Sequence, residues 1–395
     1  MKTAAGLACL VLGLLATTSL QAAPVPLSDV QMDDIVAGEN FTIVNEVVDD
    51  QTTASAPVTD PNLKNSWGLS EGPGTALWVA DNGTGVSTLY NASTFAKAPL
   101  VVTIPGAGGT QGAPTGTVFT SGAGTGFQVM ETAGGQTASV HSLFLFDGED
   151  GTISGWGVIR PASGPPLIPT TAAIAVDQSA SGAAFKGLAI FEPNASGPNP
   201  DAGATIYAAD FTQNKVEMFD SNFHQIGSFK NPYAFLGFSP FNVQQLNGLI
   251  YVSYAKRSDG IDEKDGPGLG ILDVFNPSGQ RLRTLAIGGP LNAPWGMTIA
   301  PPNWGRFAGA LLVGNFGDGK INAYDPKTGL FLGSLRGPDF KKLSIDGLWA
   351  MLDGPDGAVT FSSGPNGEAN GLIGVIRPTM APASWAFQSH VAMNR

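Results

Sequence analysis

The chain has 395 residues, 53 of them Gly and 29 Pro, and only 13% are charged. This mix fits an all-β protein rich in turns, because Gly supplies positive φ and Pro presets turn geometry. A formal net charge of −12 without any Lys/Arg cluster excludes nucleic acid as a partner. With Cys9 alone and only His141, His224 and His390, disulfides and thiol catalysis are excluded once the segment holding Cys9 is removed.

Lys2, the apolar run from Leu7 to Leu15 and Gln21-Ala22-Ala23 form a secretory signal peptide over residues 1–23. The apolar run is too short to span a membrane, so no transmembrane anchor is expected after its removal. The mature protein is expected in the extracellular space or the periplasm. Residues 24–40 form a linker in which Leu27, Val30, Ile35 and Val36 recur at helical spacing among acidic residues. This piece resembles the leaders of bacterial double-glycine secretion substrates, with Ala37-Gly38 in place of two glycines.

Phe41 to Val48 reads FTIVNEVV, a strand with no partner close in sequence. A ring of blades can close by letting an N-terminal strand complete its last sheet, which removes open edges. From there to residue 378 the chain repeats. Trp67-Gly68, Phe241-Asn242, Trp295-Gly296 and Trp349-Ala350 mark innermost strands, with Lys186-Gly187 a poorer fit, and the three intervals between the last four markers are 55, 54 and 54 residues. The gap before Lys186 holds one more unit, its marker hidden between Thr115 and Phe127. A small residue is expected where inner strands converge, and its aromatic neighbour is expected to pack between blades.

A second register agrees. LWVADNGTGVSTLY, LFLFDGEDGTISGW, IYAADFTQNKVEMF and LLVGNFGDGKINAY are second and third strands joined by tight turns. The units starting LIYVSYAKRSDG and AVTFSSGPNGE carry longer loops, and APLVVTI, AAIAVD, HQIGSF, RLRTLAI and LFLGSL are outer strands. Both registers give one all-β domain over residues 41–378, a six-bladed β-propeller closed by its N-terminal strand. Residues 379–395 are expected to be a flexible tail.

The strings NSWGLS, PTGTVF, EDGTISGW, FKGLAI, PFNVQ, LNAPWGM, LLVGNFGDGKINAYDP, DGLWAM and SGPNGE resemble a family of secreted bacterial β-propellers of unknown function, found in species with the PEP-CTERM sorting system. The resemblance implies the fold and export, and no activity. The tail from Arg377 to Arg395 lacks the Pro-Glu-Pro motif, apolar stretch and basic end of that system.

In a propeller, the loops entering the inner strands and those between second and third strands share one face. Asn65, Asn242, Asn292 and Asp346 therefore gather at the channel mouth as candidate ligand-binding residues. Asp81, Asp147, Asp210 and Asn315 form a column at the ends of second strands, with Tyr254 and Ser363 in the irregular blades. Oxygen-rich rings suit calcium, the one cofactor considered, with Asn242 and Asp346 as its leading ligands. The competing account is that the column caps its own turns.

DGEDG and SDGIDEKDG lack the calcium-loop alternation and read as solvated acidic loops. The Gly-rich tract 106–126 lacks the elements of a phosphate loop and reads as surface loop. His141 and His224 fall in different blades, which opposes a shared zinc or serine site. Trp67, Trp295 and Trp349 read as packing residues before ligand platforms. Two functions follow: a non-catalytic scaffold that binds an envelope glycan or an extracellular protein, or a calcium-dependent lactonase or esterase acting at the channel mouth.

Overall fold

A strand of four to nine residues followed by a turn cannot bury both of its faces alone, so short strands assemble into stacked sheets. The computed structural model describes residues 40–121, 124–258 and 260–379. The segments expected as signal peptide, linker and tail, including His390, lie outside the described residues but for Asn40 and Thr379.

Six antiparallel sheets follow one another in sequence, each ordered from inner to outer strand. Blade 1 comprises Ser66–Ser70, Leu77–Asp81, Val86–Tyr90 and Lys97–Thr103. Blade 3 runs through Phe185–Phe191, Thr205–Asp210, Lys215–Asp220 and Gln225–Lys230. Blade 4 uses Phe238–Leu246, Leu249–Arg257, Gly270–Phe275 and Arg281–Ile287, with Glu263–Lys264 as a short added strand. Blade 5 has Pro294–Ile299, Leu311–Asn315, Ile321–Tyr324 and Phe331–Ser334. The protein is thus a six-bladed β-propeller, and the two registers read from the sequence coincide with its strands. No helix among the described residues is long and apolar enough to cross a membrane.

Blade 2 departs from expectation within the Gly-rich tract. Pro114–Phe119 is its inner strand rather than surface loop, and Thr115-Gly116-Thr117 stands where other blades carry an aromatic and a small residue. Phe144–Gly148, Thr152–Trp156 and Ala173–Asp177 complete the sheet. Between its first two strands the chain makes an extra hairpin, Gln128–Ala133 with Gln136–His141, which pairs only with itself among the described residues.

Blade 6 joins Leu348–Asp353, Val359–Ser363 and Leu372–Pro378 to Phe41–Val48 as its outer strand. Phe41 pairs with Pro378 and Val48 with Leu372, with a bulge between Asn45 and Val47. Val58–Thr59 then adds in parallel outside this strand. Phe41 is fully buried, its ring 4.7 Å from Trp304 and 6.0 Å from Phe307 of blade 5, so the closing strand also locks two blades together.

The inner strands share a second device. Their pairing with the second strand slips between Ser66 and Leu69, Phe185 and Leu188, Pro240 and Asn242, Pro294 and Met297, and Leu348 and Met351. Each bulge turns the backbone toward the next blade. A Cβ on Gly68 would lie 2.6 Å from the Thr115 carbonyl, and one on Gly116, Gly187 or Gly296 would collide with Leu188, Asn242 or Trp349. Small residues are required there because backbone meets backbone.

Truncating Phe41 to Ala should cost about 3–5 kcal/mol, the usual loss for a fully buried Phe. Val44→Ala, on the same strand but 43% exposed, should cost under about 1 kcal/mol. Denaturant titration of both variants checks the difference, and deletion of Phe41–Val48 should in addition reduce solubility by baring an edge.

Candidate functional site at the channel mouth

The aromatic residues at the inner-strand bulges pack between blades as expected, and they do so across the ring. They meet on the axis. Trp67 of blade 1 stacks on Trp349 of blade 6 with ring centroids 3.5 Å apart, and Trp295 of blade 5 stands edge-on to both at 6.0 and 5.7 Å. Phe316 stacks on Trp349 at 4.1 Å, and Phe241 of blade 4 lies 6.0 Å from it. This plug closes the channel. A cavity of about 20 Å³ remains along the axis, lined among others by Gly68, Thr117, Asn242 and Met351, which is room for about one water molecule.

Two of the three indole N–H groups are bonded. Trp349 Nε1 donates to Asn65 Oδ1 at 2.9 Å, and Trp295 Nε1 to the Lys186 carbonyl at 2.8 Å. Lys186 occupies in blade 3 the marker position filled by Trp or Phe in blades 1, 4, 5 and 6. It is buried, its ammonium stands 5.1 Å from the Trp67 ring centre, and it donates to Glu149 Oε1. A cation over an indole face is attracted by the ring's electron density, yet burial obliges it to find an anion as well.

The anions come from the loops between second and third strands. Glu149 of blade 2 accepts from Asn82 Nδ2 at 3.0 Å, and Glu368 of blade 6 accepts from Asn65 Nδ2 at 2.6 Å. Asn65 and Asn82 are themselves linked at 3.4 Å. Asn65 holds φ at +45°, a left-handed turn that Asn tolerates better than most residues. Glu263, on the long loop of blade 4, completes the set. Burial raises its carboxyl to about 7 against the attraction of Lys186, with Asp265 and Glu368 adding repulsion. Burial likewise raises Glu368, opposed by the Asn65 bond and reinforced by Glu149. One lysine and three glutamates from four blades therefore share one mouth.

Of the four residues expected at the mouth, Asn65 is central. Asn292 is buried at its rim, where its Oδ1 accepts from the Gly266 amide at 2.7 Å and fastens the long loop of blade 4. Asn242 lies below the plug. Its Nδ2 donates to the Trp295 carbonyl at 2.8 Å and its Oδ1 accepts from the Val243 amide at 2.8 Å, so the protein itself satisfies the amide. Asp346 is exposed, accepts from the Asn366 amide at 2.8 Å, and borders a cavity of about 330 Å³ beside Ile43 and Asn45 of the outer strand. No contact joins Asn242 to Asp346, and the shared site expected of them is not formed.

The second-strand column is buried and serves its own sheets. Asp81 accepts from Ser66 Oγ at 2.7 Å and from the Thr88 amide and hydroxyl at 3.1 and 2.7 Å, tying the inner strand to the third. Asp147 accepts from Thr115 Oγ1 at 2.8 Å and the Gly116 amide at 2.6 Å. Burial pushes its carboxyl up to about 6. Asp210 caps its turn through Gln213 and Thr212 and also accepts from the Ala184 amide. Asn315 donates to the Pro290 carbonyl and to Asp318. Tyr254 and Ser363 are buried as well. Among the described residues, no group of three or more His, Cys, Asp or Glu side chains is placed to hold a metal ion.

Lys186, Glu149, Glu263, Glu368 and Asn82 escaped the sequence reading. DGEDG and SDGIDEKDG each turn one glutamate inward, contrary to their reading as solvated loops. The available signal was Lys186 itself, the one charge on a repeat position that is aromatic in four of the other five blades.

No protein-family model matches the chain. It is 29% identical over 347 residues to an uncharacterised protein of Acanthamoeba polyphaga mimivirus, covering 84% of this chain and 79% of that one. A second uncharacterised protein of the same virus is 29% identical over 352 residues, covering 84% of each. Similar solved structures include a glucose dehydrogenase, at 12% identity and TM-score 0.48 over 80% of this chain and 96% of that one. Another is the WD40 β-propeller domain of Doa1, at 11% identity and TM-score 0.42 over 82% and 95%.

Burial favours the neutral form of Glu263, so its contribution to stability is complete below about pH 4.5, the ordinary glutamate range, and is lost as pH rises through about 7, and Glu368 is raised in the same direction. Calorimetric melting temperatures should fall between pH 5 and 8. Glu263→Gln should make that fall shallower, and Asp147→Asn should do so too, since Asp147 is raised in the same direction.

Proposed function

We propose that the protein is an exported, non-catalytic binding propeller whose mouth takes a polyhydroxylated ligand of the envelope-glycan class. The observation that carries this reading is the convergence of Lys186, Glu149, Glu263 and Glu368, with Asn65 and Asn82, on one mouth above a closed aromatic floor. Ionised carboxylates accept hydrogen bonds, and amides both donate and accept them, which is the alternation that sugar hydroxyls require. A plugged channel favours capture at the surface over passage through the ring. The loops that build the mouth are also where propellers and other scaffolds vary without disturbing their core. The signal peptide read from residues 1–23 supports export.

A hydrolytic reading rests on a different observation. Glu263, held near 7 by burial and standing within electrostatic range of Lys186, has the proton affinity suited to a general base at neutral pH. The two readings separate in one set of measurements. Binding predicts retention of the protein on a glycan array and loss of at least about tenfold in affinity in Glu368→Gln, the change of about 1.4 kcal/mol expected for one charge-assisted bond. Hydrolysis predicts turnover of a lactone or ester panel, with or without added calcium, that disappears in Glu263→Gln. Absence of glycan retention together with such turnover would replace the first reading by the second.

A further inference from the structure

The hairpin Gln128–His141 inserted in blade 2 belongs to no blade, and its two strands pair only with each other among the described residues. Its outward side is polar but for the exposed Met130: Thr132 and Thr137 share a hydroxyl contact of 2.8 Å, and Ser139 donates to Gln128 at 3.1 Å. Its inward side packs Val129 and Val140 on Ile159, Leu167 and Ala173. In the middle of the inward row, between Val129 and Ala133, stands Glu131, only 2% exposed. The blade offers it one long hydrogen bond, from the Gly157 amide at 3.4 Å.

Among the described residues, no counter-charge reaches this carboxyl. At the hairpin's root His141 bonds Thr120 Oγ1 and the Gly126 carbonyl, with Asp201 3.7 Å from its ring. Asp177 on the outer strand of blade 2 is exposed and accepts from Ser179. Arg160 is exposed, and His224, beyond Phe223 of blade 3, faces Asp220. A carboxylate without a partner in an apolar contact is disfavoured against its neutral acid. Burial lifts Glu131 to about 7, with the amides of Gly157 and Thr132 acting against it.

We propose that this hairpin is a pH-gated flap, docked on blade 2 while Glu131 carries its proton and released when Glu131 ionises, so that release bares the apolar floor of Ile159, Leu167 and Ala173. Its root is a fixed pivot: Phe127 is fully buried at φ +48°, its amide on the Ser221 carbonyl and its carbonyl on the Ser142 amide, so the motion lies in the hairpin beyond it. In the open hairpin Glu131 returns to water and to the ordinary range near 4.5. Docking is therefore complete below about pH 4.5, weakens by about tenfold per unit as pH rises, and levels off above about 7.

The test is a pair of spin labels on the full chain carrying Cys9→Ser, placed at Gln136→Cys on the hairpin tip and Ala180→Cys beyond the outer strand of blade 2. Distance distributions at pH 5 and pH 8 should show a longer component at least about tenfold more populated at pH 8. Glu131→Gln, which has no proton to lose, should keep the pH 5 distribution throughout, and Glu131→Met, which fills the same space without a titrating group, should match it. Identical wild-type distributions at the two pH values would overturn the proposal. So would a pH response that survives in either variant that folds.

Discussion

Convergence of six inner strands on one axis is the constraint from which the rest of this molecule follows. Where backbones approach so closely there is no room for a Cβ, and Gly68, Gly116, Gly187 and Gly296 each face the backbone or side chain of the next blade. Bulges at the same positions swing the neighbouring side chains inward. Those side chains must then share a space that narrows toward the axis. Three tryptophans fill most of it, stacked or edge-on, geometries that aromatic quadrupoles favour. A plug made in this way binds blades 1, 5 and 6 to one another independently of the strand that closes the ring.

The plug also explains the mouth. Indole N–H groups buried at an axis need acceptors, and two of them take Asn65 and the Lys186 carbonyl, which fixes both residues at the rim. Once Lys186 is held there, its ammonium is out of water and requires anions. Glu149 supplies the direct contact. Glu263 and Glu368 crowd the same space, and their raised proton affinities are the expected cost of three carboxyls around one cation in partial burial. A mouth with adjustable charge is the result. Asn242 plays the matching part below the plug, where an amide replaces a small residue and is satisfied by Trp295 and Val243.

At the outside of the ring the problem is different. Outer strands have an unpaired edge, and blade 6 would lack its fourth strand altogether without Phe41–Val48. Pairing the first strand with the last ties the chain's ends into one sheet, while Phe41 reaches across to Trp304 and Phe307. Blade 2 solves its own surplus of chain by folding it into a hairpin against its flank. That hairpin is held by a small apolar contact in which one carboxyl is the exception.

The amino-acid sequence by itself determined the fold class, the number of blades, the strand phase in five of them and the closing strand. It could do so because the blades repeat the same local demands: alternating apolar residues, a glycine at the bulge in four of the six, a tight turn. Local demands are written locally. Blade 2 was obscured because Thr115-Gly116-Thr117 keeps the glycine and drops the aromatic, and because the hairpin's row of Val129, Glu131 and Ala133 has no counterpart in other blades to align with. The mouth was decided only by the tertiary structure. Glu149, Glu263 and Glu368 lie far apart in the chain, in loops whose composition is indistinguishable from solvated turns, and nothing local states that they face one lysine. The same holds for Asp346, which shares a loop position with residues of the mouth but is turned outward to cap Asn366. Which side of a loop a carboxylate takes depends on the cation across the ring, and that distance exists only after the ring has closed.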